Sequence, residues 1–235
     1  MVGKDMIMIP VYINVFNRLT TTRNLVEQIK RLPDAQPVII DNDSTYGPLL
    51  DWYASNPCDI MRLRENLGHH APWVSGVVDG DGASWYVVTD CDIDIDGVPD
   101  DVLSVLQQPF RWEQRRPVKS GLALRIDDLP EWQSEVVKWE SRWWRRRLSR
   151  ATDWYRAPID TTFAMYQRGT TLQQVQDVVR TPCVRLGGAY QARHMPWYLD
   201  CENMDEENAH YFATANRSNS WKPRGKSLTA SYSNG

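Results

Sequence analysis

The chain has 235 residues, 27 Lys plus Arg against 30 Asp plus Glu (a formal net charge of −3), and an apolar fraction of 42%. These values predict one globular domain with a sizeable core and no overall nucleic-acid-binding character. No apolar run is long enough to span a membrane, and the N-terminus lacks the pattern of a signal peptide. The four cysteines lie far apart and form no CxxC pair, which argues against a structural zinc site or a disulfide framework and favours reduced thiols in a cytoplasmic protein.

The first half of the chain alternates predicted strands with predicted helices. Apolar runs of strand length occur at 6–15, 36–40, 59–63 and 85–89, and helical spacing occurs between them. This rhythm favours an α/β fold with a mostly parallel central sheet flanked by crossover helices. Ligands of such sheets bind beyond the carboxyl ends of the strands. All four predicted strands end in polar residues, so this edge is the first candidate site.

The second half of the chain is less regular. Strands are predicted over 118–126, 159–166 and 181–190, and a long helix over 130–149. The apolar residues of this helix recur at helical spacing and favour packing in the core. They are Trp132, Val136, Trp139 and Trp143.

One domain is expected over residues 1–215, because no repeat and no Pro-rich or Gly-rich linker divides the chain. Residues 216–235 are rich in Ser, Asn, Lys and Gly and are predicted to be a flexible C-terminal tail.

The arginines at 142 and 145–147 favour a solvated helix face. Interleaved with tryptophans, they could instead bind an anionic acceptor such as a lipid-linked phosphate or DNA.

Carboxylates are concentrated after the fourth predicted strand, in the sequence Asp90-Cys91-Asp92. Alternate carboxylates at the end of a buried strand concentrate negative charge, which a divalent cation can share. Mg²⁺ or Mn²⁺ bound there could bridge a diphosphate and stabilise the charge on a leaving group. A solvated acidic turn is the alternative. Among the four histidines, His194 is the best candidate for a further ligand, since Mn²⁺ accepts imidazole beside carboxylates.

Residues for a nucleotide are also present, although no G-x-G-x-x-G follows the first strand and no P-loop motif occurs. Asp41, directly after the second predicted strand, can accept a hydrogen bond from a base N–H or a ribose hydroxyl. An Asx turn is the alternative for this residue. His69 and His70 follow Asn66-Leu67-Gly68 at a predicted helix start, where they can contact phosphate or ribose.

Several motifs together resemble a known family. The segments VYINVFNR, VIIDNDST, RENLGHHAPW and VVTDCDID occur at the first four predicted strands, and PIDTTFAMY and ARHMPWYLD occur later. In order and spacing they resemble GT-A-fold glycosyltransferases of the family 2-like type, which include small single-domain enzymes of bacteria, phages and large viruses. The resemblance covers about residues 7–219. It implies a single GT-A domain of the nucleotide-diphospho-sugar transferase type.

The resemblance also implies an activity and a set of site residues. The activity is metal-dependent transfer of a sugar from a nucleoside-diphosphate sugar, expected to be UDP-linked, to a hydroxyl acceptor on a glycan or other biopolymer. The nucleotide-binding residues implied by position are Asn17, Arg18, Asp41, Ser44, Asn66, Gly68, His69 and Asp90. The implied ligands of Mn²⁺ or Mg²⁺ are Asp90, Asp92 and His194.

The catalytic base is the point at which the sequence departs from the family. Family 2 chains often carry a Glu-Asp pair for this role, and no obvious copy is present. An inverting transfer needs one carboxylate within hydrogen-bond reach of the acceptor hydroxyl. The two candidates are Asp160, which precedes an apolar strand, and Asp128, which follows the strand predicted over 118–126. Asp160 is preferred, because Asp128 before Pro130 also suits a helix N-cap.

Other functions stay open on the sequence alone. They are glycosylation of modified DNA bases, nucleotidyl transfer, and non-catalytic binding of a sugar nucleotide. The products separate these possibilities: a glycosyltransferase releases a nucleoside diphosphate, a nucleotidyltransferase releases pyrophosphate, and a binding module releases neither.

Overall fold

The structure, a computed structural model, describes residues 8–80, 82–112, 116–159, 162–177, 182–216 and 221–230. Its strands are β1 Ile9–Val15, β2 Ala35–Asp41, β3 Asp59–Arg62, β4 Trp85–Asp90, β5 Ile93–Asp94, β6 Lys119–Leu124, β7 Trp154–Arg156, β8 Ala164–Gln167, β9 Cys183–His194, β10 Trp221–Arg224 and β11 Ser227–Ala230. Its α-helices are α1 Thr20–Ile29, α2 Gly47–Tyr53, α3 Ala71–Val74, α4 Val77–Gly80, α5 Val102–Gln107, α6 Ser134–Glu140, α7 Leu172–Gln176 and α8 Glu206–Thr214. Short 3₁₀ turns lie at Gly68–His70, Gln108–Arg111, Glu131–Gln133, Ser141–Trp144 and Met195–Tyr198.

A central sheet organises these elements in the order β3-β2-β1-β4-β8-β6-β9-β5, with β7 paired to β9. Strands β3, β2, β1 and β4 are parallel, and β8 runs antiparallel to both of its neighbours. The predicted α/β class with a helix-flanked central sheet is therefore confirmed, and the sheet is mixed rather than purely parallel. A strand buried on both faces has the same apolar run in either direction, so the sequence pattern could not report the direction of β8.

The core lies on both faces of the sheet, because successive side chains of a strand point to opposite sides. In β1, the fully buried Val11 and Ile13 face the layer that contains Leu25 of α1. Tyr12 faces the other layer, where its ring contacts that of Tyr86 at a centroid distance of 6.1 Å. These two layers pack against the parallel strands and position their carboxyl ends. None of the helices in the described ranges is long and apolar enough to cross a bilayer.

The long helix predicted over 130–149 is interrupted. A 3₁₀ turn precedes α6, another follows it, and by Arg147 the chain forms an isolated β-bridge with Tyr155. Of the predicted core stripe, Val136 is buried, Trp139 and Trp143 are half-buried, and Trp132 is 41% exposed. The helix does not continue past Trp144, because the arginines that follow supply no apolar residue to extend its buried face.

Part of the predicted tail is ordered in the structure. Strands β10 and β11 form an antiparallel hairpin over residues 221–230. Leu228 is fully buried, and its backbone N–H donates to Oε1 of Gln133 at 3.3 Å. The backbone N–H of Cys201 donates to the carbonyl of Lys226 at 3.1 Å. Leu228 is thus the buried apolar residue of this otherwise polar hairpin, while the flexibility of residues 216–235 stays a prediction.

Close packing between β6 and β8 yields the first testable prediction. A Cβ added to Gly121 would lie 2.9 Å from Cβ of Ala164 and 3.2 Å from Cγ2 of Ile159. Gly121→Ala should therefore destabilise the protein by about 1–3 kcal/mol through overpacking, measured as a lower urea midpoint. Gly47→Ala is the matched control, because nothing lies within 4 Å of a Cβ at this position in α2. Equal midpoints for the two variants would contradict the close approach.

Candidate functional site

A cleft of about 550 Å³ lies along the sheet, within the size range of ligand-binding pockets. One part of it lies at the carboxyl ends of the parallel strands, and the other at β6, β9 and the segment around α6. We call the first part the strand-end half; it includes Asn14, Arg18, Asn42, Gly68, Asp90 and Asp92. We call the second part the aromatic half; it includes Lys119, Trp139, Glu140, Trp143, Ile159 and Arg185.

The strand register brings the polar strand ends together. Asn14 of β1 pairs with Asp90 of β4, beside the end of β2. The carbonyl of Gly68 accepts hydrogen bonds from Nδ2 of Asn14 at 3.3 Å and Nδ2 of Asn42 at 2.9 Å. Gly68 has a φ of +73°, a conformation that glycine adopts without strain. The loop after β3 is therefore held against the ends of β1 and β2, at the floor of the cleft.

Three of the predicted nucleotide-binding residues, Asn17, Asp41 and Ser44, are buried beneath the cleft rather than on its lining. Asn17 has a φ of +50°, and its Oδ1 accepts from the backbone N–H groups of Thr45 at 2.7 Å and Tyr46 at 2.9 Å. Oγ of Ser44 accepts from the backbone N–H of Asn17 at 3.0 Å. These bonds join the loops after β1 and β2, while contact with a nucleotide stays a prediction.

The carboxylate of Asp41 has hydrogen-bond partners within the protein. Its side chain is fully buried and accepts hydrogen bonds from the Tyr53 hydroxyl and from Nε of Arg62, each at 3.3 Å. Burial raises the pKa of the Tyr53 phenol far above its usual range, and the nearby Asp41 carboxylate raises it further. Tyr53 therefore stays a hydrogen-bond donor, and Asp41 holds α2 against the end of β2.

The remaining predicted residues in the described part of the chain line the cleft, except Asp128. The rings of His69 and His70 lie together, with centroids 3.8 Å apart. Oδ1 of Asn66 accepts from the backbone N–H of Gly68 at 2.9 Å. The predicted residues on the lining are Arg18, Asn66, Gly68, His69, Asp90, Asp92 and His194.

Asp92 and His194 are brought together by the pairing of β5 with β9. Ile93 pairs with His194, and the backbone N–H of Met195 donates to the carbonyl of Asp92 at 2.8 Å. Oδ1 of Asp92 then lies 3.5 Å from Nε2 of His194. Burial by itself raises the pKa of the Asp92 carboxyl, but His194 and Arg18 outweigh burial and hold that pKa below its ordinary value. An ionised carboxylate therefore lies beside an imidazole at the cleft.

The fit of a divalent cation to this pair can be judged from the two atoms that face each other. Oδ1 of Asp92 is buried, has no hydrogen-bond partner among the described residues, and lies opposite Nε2 of His194. Carboxylate and imidazole are ligands that Mn²⁺ accepts. Across the described ranges, however, no three His, Cys, Asp or Glu side chains gather into a metal-binding group, so the predicted trio with Asp90 is not assembled. The pair fits a cation that takes its other ligands from substrate and water.

Cys91 lies between the two aspartates and is itself buried. Burial raises the pKa of its thiol to about 12, and the charge of Asp92 also raises it. The thiol is therefore protonated at neutral pH. The negative charge at the end of β4 belongs to the two carboxylates.

Arg18 places a buried cation beside Asp92. Its Nε lies 3.7 Å from Oδ2 of Asp92, its Nη1 donates to Oδ1 of Asn208 at 2.7 Å, and its guanidinium lies 3.8 Å from the Tyr211 ring centroid. Nε and Nη2 have no hydrogen-bond partner within the described ranges. A guanidinium with unused donors is suited to an anionic ligand such as a phosphate.

Helix α8 holds Arg18 and the start of α1 in place. The carboxylate of Glu207 accepts from the backbone N–H of Thr20 at 3.1 Å and from the Thr20 hydroxyl at 2.9 Å. Residue Leu19 at the N-cap of α1 makes no side-chain cap. A carboxylate distant in sequence therefore stabilises the positive N-terminus of α1.

The structure describes one of the two candidate bases, Asp128. Asp160 lies outside the described residues. Asp128 does not line the cleft; it accepts from the Tyr198 hydroxyl at 2.6 Å and from Nε of Arg193 at 2.9 Å. Burial raises the pKa of the Asp128 carboxyl, but these two partners and Arg125 outweigh it and lower that pKa. Asp128 is therefore engaged in a surface network rather than in the suggested helix cap.

The aromatic half contains functional candidates that the sequence analysis missed. Arg185 of β9 forms a buried ion pair with Glu140 at the end of α6, and Lys119 of β6 is also buried. Trp139 and Trp143, predicted to pack in the core, are only half-buried and line the cleft. The sequence did contain a signal, because Lys119 and Arg185 are isolated charged residues within apolar strands. A buried strand tolerates a charged side chain only where that side chain has a partner.

The C-terminal hairpin also reaches the cleft. The ring of Trp197 makes edge contacts with His194 at a centroid distance of 4.8 Å and with Trp221 of β10 at 5.7 Å. All three residues line the cleft. An aromatic wall thus extends from the Asp92–His194 pair to the hairpin.

Comparison with solved structures identifies the fold. GalNAc-T7, solved with UDP, GalNAc and Mn²⁺, matches 81% of this chain and 44% of its own chain, with 13% identity and a TM-score of 0.52. TarS residues 1–349 from S. aureus matches 80% of this chain and 60% of its own, with 9% identity and a TM-score of 0.50. The chain therefore spans about half the length of these proteins. Both have GT-A-type folds, and the expected GT-A glycosyltransferase fold is confirmed.

Sequence comparisons add nothing to this likeness. No protein-family model matches the chain, and no curated protein matches it significantly.

Proposed function

We propose that this protein is a metal-dependent glycosyltransferase that moves a sugar from a UDP-linked donor to a hydroxyl of a saccharide or other biopolymer. The observation that carries the proposal is the Asp92–His194 pair, with the unused donors of Arg18, at the carboxyl ends of a GT-A sheet. The GalNAc-T7 structure of the same fold contains UDP, a sugar and Mn²⁺. That combination of ligands agrees with the chemistry of this pair.

The donor would bind in the strand-end half. Asn66, Gly68 and His69 offer amide, backbone and imidazole groups at one side of the cleft, and Arg18 offers two N–H donors. A UDP-sugar carries two phosphates, so a buried cation near its diphosphate would supply charge-assisted hydrogen bonds. Asn17, Asp41 and Ser44 would support this site from below by holding the loops that form it.

A divalent cation would be held by Asp92 and His194, with Asp90 as a direct or water-mediated ligand. When bound, Mn²⁺ or Mg²⁺ neutralises negative charge on the diphosphate. Asp92 keeps its charge near neutral pH, because His194 and Arg18 hold the pKa of its carboxyl low. The protein would therefore supply a ligand that needs no proton loss before it binds the cation.

Transfer itself needs a base from this chain. In the proposed reaction, the carboxylate of Asp160 accepts the proton of the acceptor hydroxyl, and the hydroxyl oxygen forms a bond to the anomeric carbon. The bond between that carbon and the diphosphate oxygen breaks at the same time, and its electron pair leaves with UDP. Asp128, already bonded to Tyr198 and Arg193, is the second candidate for this role.

Donor binding provides the test of the proposed function. UDP at about 100 times its dissociation constant should stabilise the folded protein by about 2.7 kcal/mol and raise the Tm by roughly 5–10 °C. The shift should require Mn²⁺ or Mg²⁺ and should disappear with EDTA. The measurement is a thermal-shift screen of UDP, UDP-sugars, GDP and ADP, each with and without Mn²⁺.

The outcome separates the competing functions. A metal-dependent shift with UDP and slow release of UDP from a UDP-sugar would support a glycosyltransferase. A shift without any product would indicate a binding module, and release of pyrophosphate from a triphosphate would indicate a nucleotidyltransferase. Absence of a shift with every nucleotide would overturn the proposal.

A further inference from the structure

We propose that the aromatic half of the cleft binds a neutral saccharide, whose ring stacks on Trp139 and Trp143 and whose hydroxyls bond to Glu140 and Arg185. The inference rests on the proposed function, because this saccharide would be the acceptor. It names the chemical class of the acceptor, which the fold leaves open.

The two tryptophans provide the stacking surface. They lie one turn apart at the end of α6 and in the 3₁₀ turn that follows, and both line the cleft while only half-buried. The guanidinium of Arg142 lies 3.5 Å from the Trp139 ring centroid and 5.4 Å from that of Trp143, so it packs on one face of the Trp139 indole and holds it in place. An indole offers a large rigid apolar face that suits the C–H face of a sugar ring.

The buried ion pair provides polar partners for hydroxyl groups. Glu140 and Arg185 have side chains only 3% and 4% exposed, and both line the cleft. Nε of Arg185 is buried and has no hydrogen-bond partner within the described ranges. A carboxylate accepts and a guanidinium donates, so together they can bond to adjacent hydroxyls of one sugar. Such oriented charged groups inside an apolar cleft give specificity rather than general attraction.

The charge of the cleft favours a neutral ligand over a polyanion. The charged residues of the aromatic half are Lys119, Arg185 and Glu140, and Arg185 is already paired with Glu140. Nucleic acids bind through many unpaired Lys and Arg contacts to phosphate. Arg147, which was a candidate for such contacts, instead pairs with Asp153 outside the cleft.

Saturation-transfer NMR with defined probes tests the inference. The probes are the methyl glycosides of glucose, galactose, mannose, rhamnose and N-acetylglucosamine, a 12-nucleotide single-stranded DNA, and vesicles of phosphatidylcholine with 20% phosphatidylglycerol. Binding is measured with UDP and Mn²⁺ present. We expect at least one methyl glycoside to bind, and Trp139→Ala and Trp143→Ala to weaken that binding about tenfold or more.

Trp132→Ala is the matched control, because Trp132 lies just before α6, is 41% exposed and does not line the cleft. This variant should bind the glycoside as the unchanged protein does. Circular dichroism melts of all three variants exclude unfolding as the cause of lost binding. If a tryptophan variant fails to fold, the phenylalanine substitution at the same position retains a stacking face and should retain most of the binding.

The possible results are distinct from those of the donor test. Failure of every glycoside to bind, or binding that persists in both tryptophan variants, would overturn the saccharide inference even if UDP binds. Binding of the DNA or the vesicles that depends on Trp143 would also overturn it and assign a polyanionic acceptor. Glycoside binding without any nucleotide binding would overturn the proposed enzyme and leave a saccharide-binding site.

Discussion

Asp92→Asn is expected to lower sugar transfer by about 10³-fold or more while the protein stays folded. The substitution keeps the size of the side chain and removes its charge. Asp92 contributes one of the two closely spaced ligand atoms at the proposed cation site, 3.5 Å from Nε2 of His194. Without the negative charge of Asp92, the protein would bind the cation weakly, and it would therefore also bind the diphosphate weakly.

The measurement is steady-state transfer from a UDP-sugar, with the Mn²⁺ concentration varied for each variant. Removal of the metal from the unchanged protein by EDTA should reproduce the loss, and added Mn²⁺ should reverse it. His194→Ala should have a smaller effect, raising the Mn²⁺ concentration needed for half-maximal activity, because the carboxylate of Asp92 remains as a charged ligand.

Asp96→Asn is the matched control on the same loop. Its side chain is 69% exposed, and its Oδ1 lies 4.0 Å from Nη1 of Arg31. A surface ion pair of this kind contributes at most about 1 kcal/mol to stability. This variant should transfer sugar at the unchanged rate. Full activity in excess EDTA, or activity of Asp92→Asn within about tenfold of normal, would contradict the metal-dependent mechanism.

Asp160→Asn is expected to lower the transfer rate by roughly 10²–10⁴-fold with little change in donor binding. The amide keeps the size of the side chain but cannot accept the acceptor proton. The kcat of transfer should therefore fall, while the UDP-induced shift in Tm should stay as large as in the unchanged protein. That division distinguishes a base from a donor-binding residue.

Two further variants locate the base if Asp160 is not responsible. Asp128→Asn should have a small effect, because Asp128 lies outside the cleft and is bonded to Tyr198 and Arg193. A collapse of kcat in this variant alone would move the assignment to Asp128. If neither variant loses activity, Glu140→Gln is the next test, since Glu140 is a buried carboxylate that lines the cleft. Proton NMR of the product then reports whether the anomeric configuration is inverted.

The sequence by itself determined the elements that local physical chemistry encodes. Apolar runs placed β1, β2 and β4 within a few residues of their observed bounds, because a strand buried on both faces must be apolar along its length. The bounds of the mostly exposed β3 were also placed within a few residues. The polar residues that follow those strands marked the edge where the cleft lies. Asp90 and Asp92 stood out because charge at the end of a buried strand is costly without a partner.

The tertiary structure alone decided which distant residues became partners. His194 reaches Asp92 only through the pairing of β5 with β9, Glu207 caps α1 from the far end of the chain, and the hairpin of residues 221–230 is anchored by Leu228. The direction of β8 and the use of Trp139 and Trp143 as cleft lining were likewise not local properties. Periodicity reports whether a side chain is buried, whereas the identity of what it is buried against depends on the packing of the whole chain.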